Sequence, residues 1–227
     1  MERRPASRHG LGALLGRVLL SLGTAGGCQT VLFSAMYLFQ GTTKDADYDG
    51  LNKKKVVVVC REATGMEFTD PNVAKDIDKL VTTRLTKNGY KMELVDPSKV
   101  ERWEDENSWD EFLTVGRAMK ADMVLGIDLE QFGIRQGQTV YQGRANATVR
   151  VVDCKTGKEV FSKPIAPLIY PPNHMVSVAD RQEAEFRREF EDVLADRLAR
   201  FFYPHDPNDD IGLAAAALHK SGNRASC

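Results

Sequence analysis

The sequence predicts an α/β (α+β) domain: a single mixed sheet with helices packed on it, in the order β-α-β-α-β-β-β-α. Three observations predict it. "KVVVVC" at Lys55–Cys60 is a continuous valine-rich run, the pattern of a strand buried on both faces. Segments of helical period separate the early strands, as parallel crossovers require. The later strands follow one another with only short turns between them, which implies an antiparallel meander.

The elements follow in order. After the valine strand, "TDPNVAKDIDKLVTTRLTKNGY" reads as a helix. Asp70 suits the N-cap, Pro71 the first turn and Gly89 the stop. Val73, Ile77, Leu80, Val81 and Leu85 form its apolar face. "YKMELVD" is the next strand, and Asp96 with Pro97 starts a short helix carrying Val100 and Trp103. Ser108 and Glu111 stand at capping-box spacing before a helix that turns Phe112, Val115 and Met119 inward. "ADMVLGIDLEQFGIRQ" alternates, with Met123, Leu125, Ile127 and Leu129 on one side. A turn at Gly137–Gln138, a long strand, a turn at "DCKTGK" and a further strand complete the meander. "PIAPLIYPPNHM" reads as an apolar surface loop, because proline cannot donate to a ladder. Asp180–Phe202 is an amphipathic helix with Phe186, Phe190, Leu194 and Leu198 in register, ended by Pro204.

Ahead of these elements, Arg3, Arg4, Arg8 and Arg17 crowd the start. No charged side chain occurs between Val18 and Phe39, a run long enough to span a bilayer as a helix. In one reading "LLSLGTAGGC" is an export signal whose cleavage leaves a lipidated Cys28. In a second the run stays as a single-span signal anchor. In a third it is cleaved near Gly27 without lipid, and a fourth keeps the protein cytoplasmic. The first three place the arginines inside and export everything beyond about residue 40. The lipid-anchored reading divides the chain into a signal (1–27), a membrane-proximal stem and linker (28–54), the α/β domain (55–203) and a tail with a short helix (204–227).

Composition and motifs narrow the chemistry. The formal net charge of -1 offers no global nucleic-acid footprint. Lys53, Lys54 and Lys55 read as solvated gatekeepers before a sticky strand. None of the four cysteines lies in a CxxC pair, which argues against zinc. Cys60 and Cys154 each end a strand, either bridged or as free thiols. "DADYDG" matches the opening of a calcium loop through Asp45, Asp47 and Asp49. Val56 stands where the bidentate glutamate is required, so an acidic linker is the favoured reading. "HDPNDD" at His205–Asp210 draws all its ligands from one stretch and reads as a helix-ending loop. No nucleophile elbow, P-loop, dinucleotide motif or HExxH is present, and no cofactor or catalytic residue is assigned. Asp128 and Glu130 face Arg144, Asn146, Thr148 and Arg150 across two strands, either as simple charge pairing or as a polar surface for a partner or glycan. The candidate partner-binding residues are Leu168, Ile169, Tyr170, Pro171 and Pro172 in the proline loop, with Trp103 and Trp109 as further contacts if exposed.

"KKVVVVCREATG", "ELVDPSKVERWEDEN", "AMKADMVLGIDLEQF", "VYQGRANATVRVVDCKTGKEVF" and "EFRREFEDVLADRLARFFYPHDP" resemble a set of uncharacterised planctomycete-type bacterial lipoproteins over roughly residues 28–210. More distantly, Ala121–Leu125 and Asp153–Val160 are similar to strands of the α/β domains in the curli secretion-channel lipoprotein, the penicillin-binding-protein activator lipoprotein and the Tol translocation protein. The resemblance implies a periplasmic module that binds other proteins. The expectation is therefore a non-catalytic interaction module in envelope assembly or trafficking. It would be lipid-anchored in the cell or outer membrane, face the periplasm and have an envelope protein as partner. A hydrolase of envelope polymers is the rival; it requires carboxylates or histidines from separate elements to converge.

Overall fold

A computed structural model describes residues 43–63, 72–88 and 91–207. Cys28, the caps expected at Asp70, Pro71 and Gly89, and the tail helix lie outside the described residues. The described part belongs to one compact unit that begins at Thr43.

The sheet is mixed, as expected. Strands β1 (Lys55–Glu62), β2 (Glu93–Leu94), β3 (Met123–Gln136), β4 (Val140–Asp153) and β5 (Glu159–Pro164) lie in the spatial order β2-β1-β3-β4-β5. β1 pairs parallel with both β2 and β3, and the β3–β4–β5 part is the antiparallel meander. A central strand flanked on both edges and covered on both faces can carry valine at every position. Val56, Val57 and Val59 are completely buried and Val58 nearly so.

Helices α1 (Val73–Lys87), α2 (Pro97–Glu106), α3 (Phe112–Ala118) and α4 (Glu183–Ala199) divide between the two faces. α1 and α4 build the larger core. Val73, Ile77, Val81 and Leu85 recur every fourth residue on α1; Phe186, Phe190, Leu194 and Leu198 do the same on α4. Both stripes bury against Val58, Leu125, Ile127 and Val149. The smaller core sets Val100 of α2 and Phe112 and Val115 of α3 on Val57, Val59 and Val124. Trp103 and Trp109 are partly buried against this same cluster.

Two glycines inside strands explain how closely the helices approach. A Cβ on Gly126 of β3 would lie 2.6 Å from the Phe112 ring. A Cβ on Gly143 of β4 would lie 2.6 Å from Phe190. Each missing side chain makes the seat for one phenylalanine.

Several local expectations change. α2 starts as predicted, with the Asp96 side chain accepting from Ser98 N at 3.0 Å. α3 does not use Ser108: its N-cap is Glu111, without a side-chain capping bond, because the helix begins only where Phe112 drops into the core. The turn at 153–158 forms as expected, with Asp153 Oδ1 accepting from Lys155 N at 2.9 Å and Thr156 N at 2.8 Å. The proline segment is not a loop throughout. β6 (Leu168–Tyr170) and β7 (Val176–Ser177) pair antiparallel with the far half of β4. Proline is tolerated there because these are short edge strands.

The polar stretch read as a linker is laid against the domain from Lys44 onward. Lys44 N donates to His205 O at 2.8 Å, and His205 N returns a bond to Lys44 O at 3.0 Å. Tyr48 packs 5.1 Å from the Phe161 ring, and Leu51 is 1% exposed.

Candidate functional site

α2 and α3 cover only part of their face of the sheet. Further along that face the alternation of β1, β3 and β4 continues with polar side chains in place of valine. Asp128 is the centre of this ladder. Its two carboxylate oxygens accept from Arg61 Nε and Arg150 Nε, each at 2.6 Å. Arg150 reaches on to Glu159 at 2.8 Å, and Thr148 donates to Glu130 at 2.6 Å. Asn146 donates to Gln131 at 3.0 Å, and Arg144 to Gln142 at 3.1 Å. A register slip between Leu129 and Gln131 brings Glu130 beside Thr148. Arg61 also donates to the Asp110 carbonyl and lies 4.3 Å over the Phe112 ring.

This is the charge pairing that the sequence predicted, with one partner missed. Arg61 comes from β1, whose pairing with β3 no local pattern reveals. Asp128 is only 7% exposed; a guanidinium on each side donates to one of its oxygens, which satisfies the carboxylate in that position. The ladder is hydrogen-bonded along its length and open to solvent on its outer side, and can offer oriented donors and acceptors to a partner.

The proline-segment residues divide between core and surface. Tyr170 is 4% exposed, stacks near Phe190 and donates its hydroxyl to Glu189 at 2.9 Å. Burial pushes its phenol well above the usual range. Pro171 is buried, Leu168 half-buried and Pro172 exposed. Ile169 points out at 42% exposure, directly across from Arg144. The large hydrophobics exposed among the described residues are Val160, Ile169 and Met175. All three lie on or beside β5, β6 and β7, the short strands along the outer edge of β4.

A second cluster was not legible in the sequence. Asp78 of α1 is 5% exposed and faces Glu104 and Glu101 of α2. Burial, then the charge of Glu104, pushes its carboxyl up to about 8. Burial raises Glu104 to about 7, while Trp109 donates a hydrogen bond to it. Carboxyl groups from separate elements do meet here, as the hydrolase reading requires. Asp78 lies under α2, however, so the pair joins two helices.

Three of the alternative readings gain no support from the structure. Among the described residues no group of three or more His, Cys, Asp or Glu side chains is placed to hold a metal. Asp45, Asp47 and Asp49 line one pocket but form no such group, and Asp47 is taken by Lys163 at 3.1 Å and Lys44 at 3.3 Å. His205 and Asp206 likewise join no such group, and Asp209 and Asp210 lie outside the described residues. Cys60 and Cys154 are free thiols. They pack with different cores, Cys60 under α1 and α4 and Cys154 under α2 and α3, so the sheet separates them.

No helix among the described residues is long and apolar enough to cross a membrane. No family model and no curated protein matches the chain. Among solved structures, the chain is similar to lipoprotein GNA1162 from Neisseria meningitidis. The identity is 17% over 62% of this chain and 94% of that one, at a TM-score of 0.41. It is also similar to the PelC dodecamer from Paraburkholderia phytofirmans, at 14% identity over 71% and 96% of the chains and a TM-score of 0.42. The C-terminal domain of LpoB from Escherichia coli matches at 14% identity over 53% and 87%, with a TM-score of 0.38. At these TM-scores the likeness assigns no activity to this chain.

Proposed function

We propose that this protein is an exported, membrane-anchored lipoprotein acting as a non-catalytic protein-interaction module in cell-envelope assembly or trafficking. The binding surface is the polar ladder together with the strip outside β4. One observation carries the reading: Val160, Ile169 and Met175, the exposed large apolar side chains among the described residues, all lie along that strip, with Ile169 and Met175 at one end of β4 and Val160 towards the other. Apolar anchors beside a rigid row of oriented polar groups are what a protein interface uses. Tyr170 ties β6, which carries Ile169, to α4 through Glu189, so less freedom of that strand is lost on binding. The basic start, the uncharged run and Cys28 support the anchor and the periplasmic side.

A photo-crosslinking residue introduced at Ile169 in the native host tests the surface. A discrete adduct with one envelope protein is expected, and none from the exposed Glu106 at the far end of α2. No adduct, or the same adducts from both positions, would remove the proposal. Mass spectrometry of the mature N-terminus tests the anchor: a lipidated cysteine at position 28 is expected, and an intact residue 1 would refute cleavage.

A further inference from the structure

The fold gathers lysines that are far apart in sequence onto one rim of the sheet. Lys53 and Lys54 precede β1, Lys91 precedes β2, Lys120 precedes β3, and Lys155 and Lys158 occupy the β4–β5 turn. Backbone bonds tie these segments side by side: Lys53 N to Lys91 O at 2.6 Å, Asp122 N to Lys55 O at 2.8 Å, and Cys154 N to Asp122 O at 2.9 Å. All six lysines are exposed, and Arg117 at the end of α3 adds a seventh positive charge.

The acids at this end do not cancel them. Asp122 accepts from Lys55 N at 2.8 Å, and Asp153 accepts from the amides of its own turn. With the exposed Asp49 and Glu93 these make four acids against seven basic groups, and the exposed Glu159 beside Lys158 is paired with Arg150. The backbone gives a second sign. Lys53 and Lys120, at φ 58° and 51°, are the non-glycine residues with positive φ among the described ones. Glycine or asparagine adopts that conformation more readily. At both positions the chain carries a lysine on this rim instead.

The occupant follows from connectivity. The uncharged run ends at Phe39, and only Gln40, Gly41 and Thr42 separate it from Thr43. That span is at most ~14 Å of extended chain. From Lys44 the chain is pinned to the domain through His205 and Tyr48, and it then leads directly to Lys53. A bilayer holding the run is therefore within short reach of a surface dense in lysine. We propose that this rim docks on the anionic lipid headgroups of the membrane that anchors the chain. This rests on the anchored reading above and adds the domain's orientation: the rim faces the bilayer.

The test uses the full-length chain reconstituted in vesicles of phosphatidylcholine alone, or of phosphatidylcholine with phosphatidylglycerol. Amine acetylation is read residue by residue by mass spectrometry, with the exposed Lys99 on the first turn of α2 and the half-buried Lys75 on the first turn of α1, both at the opposite end of the strands, as internal references. Lys53, Lys54, Lys91, Lys120, Lys155 and Lys158 should label at least about threefold more slowly on the anionic vesicles, with the protection lost at high salt. The references should not change. Equal labelling on both vesicles overturns the proposal. So does protection that is the same on both, which would mean a second protein copy or another part of the chain covers the rim. A variant carrying Lys54→Glu, Lys155→Glu and Lys158→Glu should lose the protection of Lys53, Lys91 and Lys120 while its circular dichroism stays unchanged. Flotation with the neutral vesicles reports the anchor separately: a chain that fails to float there refutes the anchored reading, whatever the rim does on anionic lipid.

Discussion

Replacing Asp78 by asparagine should flatten the dependence of stability on pH. Asp78 is 5% exposed between α1 and α2. Its carboxyl rises from 3.8 to about 8, first through burial and then through Glu104, with Glu101 adding to the rise and Lys79 opposing it. The folded state therefore keeps a proton that the unfolded chain releases near pH 4. The contribution of Asp78 to stability is fully present below that point and falls as pH rises towards 8, by up to ~1.4 kcal/mol per unit for one proton. The full rise from 3.8 to about 8 corresponds to a ceiling of ~6 kcal/mol. Water entering the helix seam around the charged form reduces the expected loss to ~2–4 kcal/mol between pH 5 and 8.

Glu104, raised to about 7, acts in the same direction, whereas the Cys60 thiol, pushed above its ordinary value of 9.0 by burial, does so only beyond this range. The asparagine side chain is isosteric with the protonated acid. Asp78→Asn should therefore cost little at pH 5 and be more stable than the parent at pH 8. Urea unfolding at pH 5, 6, 7 and 8 measures both. Trp103 and Trp109, packed against the smaller core beside this seam, give the fluorescence signal. A parent whose stability is flat or rises from pH 5 to 8, or a variant with the parent's slope, would refute the reasoning.

Other predictions follow from the packing. Gly143→Ala drives a methyl to 2.6 Å from the Phe190 ring and should cost ~1–3 kcal/mol. Phe190→Ala alone should cost ~3–5 kcal/mol, and the double variant should lose less than the sum because the removed ring leaves space for the methyl; a double-mutant cycle in urea reads the difference. Tyr48→Ala removes the ring packed on Phe161 and Phe202, costs about 1–2 kcal/mol and should expose Lys44, Lys53 and Lys54 to trypsin before the rest of the domain. Below about pH 4, protonation of Asp153, held low by the Thr156 amide, and of Glu183, held low by Arg135, should destabilise the fold, giving a stability maximum on the acid side of neutrality. Intact mass under non-reducing conditions should show Cys60 and Cys154 unbridged, with Cys60 alkylated only after unfolding.

Some of the architecture was legible because its causes are local. The valine run, the fourfold spacing of Ile77, Val81 and Leu85, and the Phe186–Leu198 stripe each express which faces an element buries. Asp96 before Pro97 and Asp153 before Thr156 are caps and turns complete within a few residues. On the candidate surface, the facing of Asp128 and Arg150 could be predicted because β3 and β4 join through one turn, which sets their register.

What the sequence by itself determined is therefore the helices and the principal strands, the meander and the side of the sheet that each regular position takes. Periodicity and turn chemistry act over short separations. Only the tertiary structure decided the rest, because it depends on pairings between distant segments. Arg61 joins Asp128 across the parallel β1–β3 contact. Asp78 meets Glu104 only when α1 and α2 pack together. The proline segment becomes edge strands only because β4 is long enough to offer ladder groups beyond β5. Lysines spread from position 53 to 158 share a rim only because five strands begin or turn at the same end of one sheet.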